Sequence, residues 1–155
     1  MTFPPDWNEF ISLLCSNRVR FVIVGAHALA ANGVPRATGD LNVFVEPSAE
    51  NARRMTTVLE SFGFPALAEA AEKLAEPDRM ATTGRVPLRI DIMTSIDGVS
   101  FEQAYEGRLE ARLGPHLVPF LGLRELVTNK RKAGRTKDLL DIALLEEAGL
   151  LDSER

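Results

Sequence analysis

A single cysteine, Cys15, lies on an expected helix, so neither a disulfide framework nor a thiolate metal site forms within the chain. The two histidines, His27 and His116, stand in no ligand spacing, and no serine occupies a nucleophile-elbow context. A hydrolase therefore has little support. No apolar run approaches the ~20 residues that span a bilayer. The opening MTFPPDW has neither the basic nor the apolar region of a signal peptide. The expectation is a cytoplasmic protein with no membrane partner. Basic excess is missing too: 18 Lys and Arg stand against 22 Asp and Glu, a net charge of −4. That argues against a protein that coats nucleic acid, while a local basic patch stays compatible with RNA. Internal repeats, low-complexity tracts and linkers are absent as well.

What is present is ordinary for a globular chain. Hydrophobic residues make up 45% and charged residues 26% of the 155, enough for one domain with its own core. Trp7, Phe10, Ile11 and Leu14 recur at helical spacing over Asp6 to Cys15, with Asp6 and Glu9 placed as a capping box. Phe21-Val22-Ile23-Val24 is a β-branched apolar run and reads as a buried strand ended by Gly25. A short alanine-rich helix follows to Asn32, with Gly33 as its stop, then a loop over Val34 to Gly39. Asp40 to Val45 is the second strand. Its alternation sends Asp40 and Asn42 to one face and Leu41 and Val43 to the other.

Ser48 caps a third helix that turns Ala52, Met55, Leu59 and Phe62 inward and stops at Gly63. Phe64 to Glu76 is helical in part. Val86 to Met93 reads as the third strand, with Arg89, Asp91 and Met93 on one face and a carboxylate that needs a partner or a metal to be buried. A short helix over Ser100 to Tyr105, a hairpin turning at Gly114-Pro115 and two final helices complete the order. The expected fold is α/β (α+β): a mixed sheet flanked by helices, with a core over about 18–120 and trailing helices over about 121–149.

The phrase VGAHALAANGVPRATGDLNVFV resembles the polymerase-β-like nucleotidyltransferases, and most of all their minimal bacterial members, some of which serve as toxin or antitoxin. Those proteins carry a strand, a turn of Gly and a second small residue, a helix, and Asp-x-Asp on the next strand. The stretch LRELVTNKRKAGRTKDLLDIALL is similar to the basic and acidic run of their trailing helices. Two positions depart: Ala26 replaces the second small motif residue, and Asn42 replaces the second aspartate.

The resemblance implies transfer of a nucleoside monophosphate from an NTP to a hydroxyl of RNA or protein. It also implies a toxin–antitoxin partner as one setting, and a two-ion Mg²⁺ site. Such chemistry uses two cations about 3.5–4 Å apart, held by oxygen ligands. Asp40, Asn42 and Asp91 take the places of the metal-binding and catalytic residues. Asn42 offers a neutral carbonyl where a carboxylate is usual, so a catalytically inactive binding module is the rival reading. Gly25, Ala26, Arg36, Thr38 and Lys130 are the candidate nucleotide and phosphate contacts: a turn onto a helix start, a loop guanidinium, and a helix-end lysine. Bland readings stand beside each. Asp40 also suits a turn after Gly39, Asp91 an ion pair with Arg89, Arg36 a solvated loop, and His27 simple packing.

Overall fold

The computed structural model describes residues 2–151. Helix α1, Pro5–Ser16, starts at a proline, whose fixed φ and missing N–H suit a first helical turn. It begins one residue earlier than the sequence suggests, so Asp6 lies inside the first turn and makes no capping bond. Strand β1, Phe21–Val24, helix α2, Ala26–Ala31, and strand β2, Asp40–Val45, follow as expected. Helix α3, Ala49–Phe62, is capped by the Ser48 hydroxyl, which accepts from the Asn51 N–H, and ends at left-handed Gly63. A short helix α4, Pro65–Ala70, runs into a 3-10 turn over Ala71–Ala75.

Strand β3, Met80–Thr83, is the element absent from the sequence expectations. It pairs antiparallel with β4, Arg89–Met93, and forms an edge of the sheet. The strand expected from Val86 begins only at Arg89. Val86 and Leu88 are 68% and 38% exposed in the preceding turn, where Pro87 has no N–H for a ladder. Helix α5, Phe101–Glu106, has a Ser100–Gln103 capping box. The hairpin β5, Leu109–Leu113, and β6, His116–Phe120, leads to helices α6, Leu123–Ala133, and α7, Thr136–Glu147.

The six strands form one mixed sheet in the order β3-β4-β2-β1-β6-β5. β2 runs parallel to β4 and β1 to β6, while the other neighbours are antiparallel. Alternation divides the interior in two. Phe21, Ile23, Leu41, Val43, Ile90 and Ile92 pack with α1 and α3 on one face. Val22, Val24 and Phe44 meet α2, α5, α6 and α7 on the other. Asp40, Asn42 and Asp91 have the parity of this second face, so the trailing helices stand over them. No helix among the described residues is long and apolar enough to cross a membrane.

Candidate functional site

Gly25 links β1 to α2 with φ 74° and ψ −149°, a conformation that side chains other than hydrogen resist. Space adds a second demand. Val24 pairs with Asn42 across the ladder, and a Cβ on Gly25 would stand 2.5 Å from Asn42 Nδ2. The Asn42 side-chain amide therefore faces the turn. α2 has only six residues, so its role is to carry the turn and pack Ala26, Ala28 and Leu29.

Parallel pairing of β2 and β4 sets Asp40 opposite Arg89 and Asn42 opposite Asp91. Four polar side chains thus form a square on one face of two adjacent strands. Asp40 Oδ1 accepts from the Thr38 hydroxyl at 2.6 Å. Asp91 Oδ1 accepts from the Thr82 hydroxyl at 2.7 Å and from Arg89 Nε at 3.0 Å. The Arg89–Asp91 pair anticipated from their shared strand face is present. Thr82 escaped notice because β3 did.

His27 packs between the rings of Phe3 and Trp7, with centroids at 4.8 and 5.0 Å, and its Nε2 bonds the Asp40 carbonyl at 3.1 Å. Burial pulls its pKa down, against the opposing hydrogen bond and charge of Asp40. The imidazole supports the backbone of the acidic strand. It is a packing residue.

The wall opposite the strands is a charge network centred on three buried side chains, Lys130, Asp138 and Asp141. Arg36 donates through Nε and Nη2 to Asp141 at 2.9 and 3.1 Å. Lys130 Nζ, itself buried, lies 2.9 Å from Asp141 and 3.4 Å from Asp138. Arg135 Nε donates to Asp138 at 2.7 Å. Burial alone would raise both carboxyl pKa values. Bonds and charge from Arg36 and Lys130 more than offset this at Asp141, as those from Arg135 and Lys130 do at Asp138, and both end below the usual aspartate range. Lys130 and Arg36 are thus committed to carboxylates. Lys137 is exposed at the same cavity and forms no ion pair among the described residues. The Asp-Leu-Leu-Asp spacing was the available signal for two inward carboxylates on one helix face.

Square and network enclose a cavity of about 740 Å³ that Gly25, Ala26, Thr38 and Asn42 also line. Arg36, Arg79, Arg89, Lys130, Arg135 and Lys137 contribute six cationic side chains to it against four aspartates. On a chain of net charge −4, these cations gather at one hollow, where Asp138 and Asp141 hold Arg36, Lys130 and Arg135, and Asp91 holds Arg89. Lys137, exposed at the wall, is the cation there with no ion pair among the described residues, and is open to an anionic ligand. Among the described residues, no three His, Cys, Asp or Glu side chains gather as a metal cage. Asp40, Asp91 and the Asn42 carbonyl still supply the oxygen donors that a hard cation takes.

This sheet and its helices have a nucleotidyltransferase-like fold. The solved structure that shows it is a Thermotoga maritima protein described as a candidate nucleotidyltransferase. The match has a TM-score of 0.58 at 14% identity, covering 95% of this chain and 96% of that one. Identity that low speaks for the fold alone. No protein-family model matches the sequence, and no protein of curated function does.

Proposed function

We propose that this protein binds a magnesium–nucleoside triphosphate and slowly transfers the nucleoside monophosphate to a hydroxyl of RNA or protein. The observation that carries the reading is the square on β2 and β4, with two aspartates and an asparagine facing one cavity beside the Gly25 turn. Asp40, Asn42 and Asp91 would hold the cation, which when bound supplies charge neutralisation for the phosphates. Lys137 would add charge from the cavity wall, Thr38 would orient Asp40 by its 2.6 Å bond, and Asp91 would take the proton of the attacking hydroxyl. A toxin–antitoxin pairing is one setting for this activity.

A second reading, nucleotide binding without transfer, draws on neutral Asn42 and on the guanidinium held at Asp91. Incubation of the native chain and Asn42→Asp with each α-labelled NTP, Mg²⁺ and total RNA or protein separates the two. Label on an acceptor with both proteins, more with the variant, supports transfer. Label with neither refutes it and leaves binding.

A further inference from the structure

A carboxylate meant for a metal ion is best left free of other cations, yet Asp91 already has one. Arg89 Nε lies 3.0 Å from its Oδ1, on a side chain that is 41% exposed while that of Asp91 is 8% exposed. Register explains why the contact forms. Arg89 stands opposite Asp40 and two residues before Asp91, so it occupies the corner of the square between the two aspartates. With neighbouring strands about 4.8 Å apart and alternate residues about 6.6 Å apart, the two aspartate Cα atoms are about 8 Å from each other along the diagonal. Arg89 lines the same cavity.

We propose that the Arg89 guanidinium takes the place of one of the two divalent ions, so that this protein loads a single divalent ion with each nucleotide. The inference rests on the nucleotide-binding reading above. Charge balance is the argument for it. Three carboxylates with two dications leave one net positive charge. Asp40, Asp91, Arg89 and one dication leave the same. Asn42 and Arg89 are therefore complementary: one carboxylate is missing, and one fixed cation is present. A guanidinium suits the task because it stays charged, is more weakly hydrated than an ammonium, and has five N–H donors. Nε can hold Asp91 while the remaining donors serve a phosphate oxygen.

The test counts ions. Equilibrium dialysis of the full chain against Mn²⁺ and the α,β-methylene analogues of the four common NTPs gives Mn²⁺ and nucleotide bound per chain. The expected result is one Mn²⁺ per nucleotide for the native protein and for Asn42→Asp, and two for Asn42→Asp combined with Arg89→Gln. Arg89→Lys in the Asn42→Asp background keeps the charge and returns the count to one. Two ions in the native protein, or one in a folded double variant, overturns the inference. Should the double variant fail to fold by circular dichroism, the native and Asn42→Asp counts decide. Nucleotide bound without the expected count refutes Arg89 alone. No nucleotide bound refutes the functional reading and this inference with it.

Discussion

Gly25 and Asn42 constrain each other. The turn needs φ near +74°, and the Asn42 amide fills the space that a Cβ would take. Gly25→Ala therefore combines backbone strain with a clash, and a loss of about 1–3 kcal/mol is expected in urea unfolding. An unchanged midpoint would show that the turn relaxes freely. Alternation of side chains along β2 and β4 made the square legible from sequence, since parity alone sends Asp40, Asn42, Arg89 and Asp91 to a common face if the two strands pair. The bonds from Thr38 and Thr82 were not legible. One lies in a loop, and the other depends on a strand with no apolar pattern.

At the scale of elements, the loop before β2 is tied to α7 by Arg36–Asp141, and α6 to α7 by Lys130. Asp141→Asn takes from Arg36 the carboxylate it bonds and from buried Lys130 one of its two, so a loss of about 2–3 kcal/mol is expected. Because the folded pKa values of Asp138 and Asp141 are lowered, their stabilisation is present above the ordinary aspartate value of about 3.9 and lost as pH falls through the folded values. The urea midpoint of the native chain should therefore fall below about pH 4, and that of Asp141→Asn should fall less. Parallel pH profiles for the two proteins would contradict the network.

Elements with a sustained apolar period were read correctly: α1, α3, α6 and α7 by helical spacing, β1 by its β-branched run and β2 by alternation. β3 was missed because only Thr83 of its four residues is buried, as befits an edge strand. The burial of Lys130 was missed for another reason. A lysine near a helix end reads as solvated, and only the return of α7 brings Asp138 and Asp141 beside it.

For the whole molecule, the acidic net charge gave no hint that six cationic side chains meet at one cavity. Residues from β1, β4, the Arg36 loop, α6 and α7 meet there only in the folded chain. The fold brings six cationic side chains and the Asp40–Asp91 pair into one hollow, and the proposed ligand, a triphosphate with its cation, would use both. Calorimetric titration of the native chain, Asp40→Ala and Asn42→Asp with each NTP, with and without Mg²⁺, tests that claim most directly. The account predicts Mg²⁺-dependent binding by the native chain, tighter binding by Asn42→Asp and none by Asp40→Ala. Equal binding by all three proteins, or binding by none, would contradict it.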